Sequence, residues 1–288
     1  MRRDPEATSE TTTVPVASDG VDGHTLVAQA LTVGYGARSV LDEVDLALRR
    51  GEVTALIGPN GSGKSTLLRA MVRLLAPTGG GVLLDGRAIH ELSTREVARR
   101  MAALPQQPEV PAGLTVSELV EQGRYPHRGA LRTFGVEDRV AVERALEETG
   151  MTPFAARPLD ELSGGERQRA WIALALAQDT PILLLDEPTT FLDLGHQFEV
   201  LELIGRLRAC SGLTVVLVLH DVNQAARHAD RIVALDEGVI VADGPPAQVV
   251  TEQLLREVFR VHARVDVGPD GIPVATATRW AGYRATPR

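Results

Sequence analysis

One segment constrains this chain more than any other. Val53-Thr54-Ala55-Leu56-Ile57 is a short, nearly continuous apolar run, and Gly58-Pro59-Asn60-Gly61-Ser62-Gly63-Lys64-Ser65-Thr66 follows it at once. The run reads as a buried parallel strand. The next segment has the form G-x-x-x-x-G-K-S, a loop that cradles phosphates. Ser65 to Leu75 then has helical spacing and stops before Pro77. Strand, loop and helix in this order separate a phosphate loop from a chance match. The glycines let successive backbone N–H groups converge on oxygens, and the helix N-terminus adds a favourable field for an anion. Lys64 should reach the β- and γ-phosphates, and Ser65 should ligate Mg²⁺. Of the 30 Lys and Arg residues, Lys64 is the only lysine. A compact ammonium and a planar guanidinium fork are not interchangeable, and the chain keeps its one ammonium here.

The rest of the chain alternates strand and helix signals. Val82–Asp85 reads as a strand before a turn, and Leu92–Met101 as a helix with Ser93 and Glu96 in capping-box spacing. From Thr115 to about Leu162 the strand signal disappears. Thr115-x-x-Glu118 is another capping box, and Val136–Thr149 is amphipathic and ends at Gly150. This stretch reads as a small all-helical insertion. Residues 181–186 and Leu213–Leu219 are strong buried strands, with Val222–Arg227 opening a helix before the strand Arg231–Leu235. Gly238–Ala242 reads as one more short strand, and Thr251–Phe259 as a helix. Such alternation implies a mostly parallel sheet covered on both faces.

Two further segments carry chemistry. Asp186-Glu187 ends an apolar strand, which places Asp186 to hold Mg²⁺ and Glu187 to polarise an attacking water. Leu162-Ser163-Gly164-Gly165-Glu166-Arg167-Gln168 contains Ser163-x-x-Glu166, an ordinary capping box. A capped helix start with two glycines also exposes backbone N–H groups and a dipole to an anion. It lies too far along the chain to belong to the phosphate loop itself, so both readings hold together.

With these residues in order, the chain resembles an ATP-binding cassette ATPase, whose signature is LSGGERQ. The resemblance covers about Leu26 to Gly244. It implies a P-loop, RecA-like α/β core with an antiparallel β portion near the N-terminus and an inserted helical subdomain. It also implies further site residues. Tyr35 resembles the aromatic that stacks on adenine. Gln106 resembles the glutamine that senses Mg²⁺ and water, Asp193 matches the loop that crosses the dimer, and His220 matches the histidine that contacts the γ-phosphate. With Glu187 and Lys64, Gln106 and His220 would be the catalytic set; Ser65, Gln106 and Asp186 would surround the metal. ATP and Mg²⁺ are the implied ligands. The nucleotide would touch Gly58 to Thr66 of one chain and Ser163, Gly164 and Gly165 of a second, in a homodimer or paired cassette.

Composition narrows the class. The net charge of −8 and pI near 5.4 disfavour sequence-independent nucleic-acid binding. A lone Cys210 fits a reducing compartment. No apolar run approaches a membrane span. With one cassette and no long coiled coil, the reading is a soluble subunit on the cytoplasmic side of the membrane, serving separate permeases and, indirectly, an extracellular substrate-binding protein. The expected divisions are a disordered tail over 1–23, the ATPase domain over 24–261 with its helical part at about 107–162, and a C-terminal tail over 262–288. Gly123-Arg124-Tyr125-Pro126-His127-Arg128, with Asp186–Asp193 and His220–Ala225, resembles the ATPase subunits of iron–siderophore importers. Haem and cobalamin importers share the subfamily, and non-transport cassettes in regulation, DNA repair or translation form the other class. Gln107, Tyr125 and His127 are the implied permease contacts.

Overall fold

The computed structural model describes residues 24–36, 38–106, 113–128 and 134–281. The tail expected over 1–23, and Gln107, lie outside the described residues.

In chain order the strands and helices are β1 (His24–Tyr35), β2 (Arg38–Arg49), β3 (Val53–Ile57), α1 (Lys64–Met71), β4 (Gly79–Leu84), β5 (Arg87–Ala88), α2 (Thr94–Ala98), β6 (Met101–Leu104), α3 (Val116–Gln122), α4 (Val136–Glu148), α5 (Gly164–Ala177) and β7 (Ile182–Asp186). They continue as α6 (Leu194–Ser211), β8 (Thr214–Val218), α7 (Val222–His228), β9 (Arg231–Asp236), β10 (Val239–Gly244), α8 (Pro246–Val249), α9 (Glu252–Glu257), β11 (Val261–Val267) and β12 (Pro273–Trp280). A 4-stranded antiparallel sheet has the order β2-β1-β4-β5. A 6-stranded sheet has the order β10-β9-β3-β8-β7-β6, parallel throughout except for β10.

The parallel strands are apolar because both of their faces are covered. Ala55, Ile57, Leu183, Leu185, Val215 and Leu217 face a core shared with α5, α6 and α7. Leu56, Leu184, Val216 and Val218 face the other way, onto α1 and the antiparallel sheet. A separate core forms where Val116, Leu119 and Val120 of α3 meet Val142, Ala145 and Leu146 of α4 and Ala170, Ala173 and Ala177 of α5. The helical unit therefore includes α5 and reaches past the expected limit at 162.

Several elements differ from the sequence reading. The helix expected to run to Leu75 ends at Met71, where Arg73 takes a left-handed φ of 61°. Its guanidinium donates to Ile89 O at 3.2 Å, to Leu92 O, and to Thr94 Oγ1 at 3.0 Å, and these partners hold the turn. The helix expected over Leu92–Met101 is only Thr94–Ala98, although the Ser93–Glu96 capping box is present. Met101–Leu104 joins the sheet beside β7 instead. Residues from 262 onward, expected as a tail, form the hairpin β11–β12 through Trp280. Asn223 of α7 grips this hairpin: its side chain donates to Ala275 O at 3.0 Å and accepts from Ala275 N at 2.7 Å.

Candidate functional site

The site assembles at the carboxyl ends of the parallel strands, where open α/β sheets place their ligands. β3 delivers the phosphate loop, β7 delivers Asp186 and Glu187, β6 delivers Gln106, and β8 delivers His220. The loop needs glycine at Gly58 and Gly63. Their φ values are 145° and 104°, in the left-handed region. A Cβ at Gly58 would lie 2.1 Å from Leu235 O, and one at Gly63 would lie 2.6 Å from the Leu41 side chain.

Lys64 is buried, and its Nζ donates to Gly58 O and Pro59 O, both at 2.9 Å. Burial pushes its pKa down, and the carboxylates of Glu187 and Asp186 oppose that shift. Ser65 Oγ donates to Asp186 Oδ1 at 2.8 Å. Asp186 is also buried, and desolvation raises its carboxyl above the ordinary range; the Ser65 bond works the other way. A cavity of about 170 Å³ opens here, lined by Asn60, Gly61, Lys64, Ser65, Thr66 and Glu187. A larger cavity of about 890 Å³ lies elsewhere, between α4 and the amino end of β7. Size alone would select the second; the convergent charged and hydroxyl groups select the first.

Glu187 is the most constrained member. Its φ of 51° is left-handed, an uncommon conformation for a side chain of this size. Its carboxylate accepts from Gln106 Nε2, from Thr190 Oγ1 at 3.0 Å, and meets His220 Nε2 at 2.7 Å. Residues distant in sequence thus converge on one carboxylate at the mouth of the loop. Thr190 was missed as a site residue in the sequence. Its three-residue spacing from Glu187 was the available signal.

The remaining candidates do not join this cluster. Ser163 caps α5 with a complete capping box: its Oγ accepts from Glu166 N at 3.3 Å, and Glu166 Oε2 accepts from Ser163 N at 2.8 Å. Ser163 and Gly164 are exposed, and no part of Ser163–Gly165 lines the phosphate-loop cavity. Asp193 caps α6 through His196 N at 2.9 Å. Tyr35 ends β1 with 51% of its surface exposed. Tyr125 is 64% exposed, with the Arg128 guanidinium 5.2 Å from its ring centroid. His127 is tied inward, its Nε2 donating to Gln178 O at 2.7 Å. Arg95 of α2 and Arg99, which caps its carboxyl end, both donate to Pro126 O, at 2.8 and 2.9 Å. The Tyr125–His127 turn is therefore a joint between the helical unit and the catalytic core.

Fold and site together define a phosphate-loop nucleotide-binding protein. The described residues fit a magnesium nucleotide. The loop presents backbone N–H groups and an ammonium to an anion. Ser65 and Asp186 supply the hard oxygen donors that Mg²⁺ takes alongside phosphate. The raised pKa of Asp186 marks a carboxylate that a neighbouring cation would relieve.

The ABC transporter family profile matches residues 41–190, and the chain belongs to that family. A petrobactin import ATP-binding protein of Bacillus anthracis is 52% identical over 244 residues, covering 85% of this chain and 89% of that protein. An iron(3+)-hydroxamate import ATP-binding protein of Bacillus subtilis is 47% identical over 246 residues, covering 85% and 91%. Among solved structures, the dimeric structure of a bacterial ABC transporter cassette is similar at a TM-score of 0.67 and 33% identity, covering 76% of this chain and 98% of that one. The same cassette in a dimeric post-hydrolysis state holds ADP and Pi. Among the described residues, no helix is long and apolar enough to cross a membrane.

Proposed function

We propose that this chain is the ATP-hydrolysing subunit of an importer for iron–siderophore complexes. It would act at the cytoplasmic face of the membrane on separate permease subunits. The observation that carries the ATPase reading is the Glu187 carboxylate, held at the phosphate loop by Gln106, Thr190 and His220. The cargo reading rests on the petrobactin and iron(3+)-hydroxamate import relatives.

The chain's residues divide the work. Backbone N–H groups of Gly61 to Ser65 bind the phosphates, and Lys64 exchanges its carbonyl partners for β- and γ-phosphate oxygens. Ser65 and Asp186 would hold Mg²⁺, which would neutralise the developing phosphate charge. Glu187 orients the attacking water and accepts its proton. Gln106 and Thr190 keep that carboxylate aimed, and His220, which meets it through Nε2, would contact the γ-phosphate. Tyr35 supports the base by stacking. Ser163–Gly165 would meet the ATP of a second copy and Asp193 would cross the dimer beside it, which agrees with the exposure of Ser163, Gly164 and Asp193 and with their place outside the cavity. Tyr125 offers an exposed ring to the permease, while His127 acts at the joint.

The test is uptake of radiolabelled iron–siderophore by a deletion strain carrying either the wild-type gene or Glu187→Gln. Uptake restored only by the wild type is expected. Restored uptake of cobalamin or haem instead would reassign the cargo. Robust ATPase with no restored uptake of any of these would place the chain among non-transport cassettes.

A further inference from the structure

Two segments that take no part in the phosphate-loop cavity, with Ser163, Gly164 and Asp193 exposed, are packed on each other. Ser163–Gly165 opens α5, and Leu192-Asp193 opens α6. His196 lies between them. Its backbone N donates to Asp193 Oδ1, and its Nδ1 lies 2.9 Å from Asp193 Oδ2. A carboxylate oxygen only accepts, so Nδ1 carries the proton, and this bond fixes the plane of the ring.

The fixed ring lies against Gly165. A Cβ at Gly165 would sit 2.2 Å from His196 Cδ2 and 2.6 Å from Cγ. Gly165 has no left-handed φ. Its missing side chain makes room for a ring and does not serve an unusual backbone. Its neighbour repeats the arrangement more loosely: a Cβ at Gly164 would lie 3.4 Å from the Leu192 side chain. Farther along the same helices, Arg169 bridges to Glu199 at 2.6 Å. The Leu192 carbonyl accepts from Gln197 at 2.9 Å, and Gln197 in turn accepts from Gln224 of α7 at 2.6 Å.

We propose that His196 is a positioning residue for ATP hydrolysis: held by Asp193 and wedged on Gly165, it makes the signature turn and the Asp193 turn move as one body. This rests on the reading that both turns face a second copy's nucleotide. His196 touches no reacting atom. It sets where Ser163 and Gly164 stand when the two copies close, so its effect appears in turnover and not in nucleotide loading by a single chain.

Two measurements test it. First, Gly165→Ala should lower the melting temperature in the wild-type chain, because the added methyl meets the ring. In the His196→Ala background the same change should be neutral or stabilising, since alanine favours helix over glycine. An equal loss in both backgrounds would overturn the wedge. Second, His196→Ala should lower kcat at least tenfold while the Kd for a fluorescent ATP analogue stays within twofold. His196→Phe, with the ring but no Nδ1–H, and His196→Asn, with a donor but no ring, should each recover part of the loss. A kcat within twofold of wild type, or parallel losses in kcat and Kd, would overturn positioning. Ser163→Arg is the companion variant. If it abolishes turnover while His196→Ala does not, the two-copy reading stands and the His196 proposal fails. If it leaves turnover intact, both fail.

Discussion

Lys64 and Ser163 are assigned to opposite sides of one ATP, yet their surroundings are opposites. Lys64 is buried, and the groups around it complete one another: its ammonium on backbone carbonyls, Ser65 on Asp186, and Glu187 on Gln106, Thr190 and His220. Ser163 is exposed and, among the described residues, bonded within its own helix turn. The difference separates two kinds of functional residue. The first kind is preorganised by the chain itself. The second is a capped surface, which the proposed function assigns to the nucleotide of a second copy. Burial of charged side chains locates the first kind and passes over the second.

The largest effect should come from the preorganised side. Glu187→Gln removes the base while keeping a side chain that fits the same partners. Turnover should fall by about 10²–10⁴-fold, the usual worth of general-base catalysis. Equilibrium binding of Mg-ATP should be retained. Near-normal steady-state hydrolysis would mean that the cluster on Glu187 is structural, and the contrast between the two regions would lose its chemical meaning.

A smaller effect should follow Thr190→Val, which deletes one donor to the Glu187 carboxylate and keeps the volume. A hydrogen bond to a charged group contributes about 1.5–3 kcal/mol, so kcat should drop on the order of tenfold. Gln106 and His220 remain to limit the loss. No change in kcat, measured under saturating ATP, would show that those two suffice.

The smallest effect belongs to the exposed side, and it is one of stability. Bonds from Ser163 hold the Glu166 carboxyl below the ordinary carboxylate range. A depressed folded-state pKa contributes stability that is complete above the unfolded value and is lost as pH falls through the folded one. Glu166→Gln cannot titrate but can still accept from Ser163 N. Its melting temperature should therefore fall less than that of the wild type between pH ~5 and pH ~3, around the carboxylate reference value. Parallel acid limbs in thermal melts would detach the cap from that pH range.

What was legible from sequence follows the same division. Val53–Thr66 reads correctly because strand, turn and anion site are contiguous, and each glycine answers a local geometric need. The capping boxes at Ser93, Thr115 and Ser163 are likewise local, and all are present. The 18-residue α6 was not assigned. Its start signal, Asp193, matches a residue that crosses to a partner and at the same time caps the helix. The sequence shows no strand at β6, whose four residues are too short to show a period, and the expected helix overlaps it only at Met101. Only β7 beside it makes it a strand. The hairpin at Val261–Trp280 is mostly exposed, so alternation had little burial to reveal. His196 meets Gly165 across the fold, a contact no local pattern encodes, whereas Thr190 is near Glu187 in sequence and gains its meaning only when Gln106 and His220 reach the same carboxylate.

The fit of His196 against Gly165 also has a historical consequence. The two positions cannot drift independently. A chain that gained a side chain at 165 while keeping the ring at 196 would pass through a crowded intermediate, whereas shrinking 196 first leaves a gap that a methyl can fill. The order of substitutions is therefore directional, and related sequences should show side chains at 165 only where 196 is small.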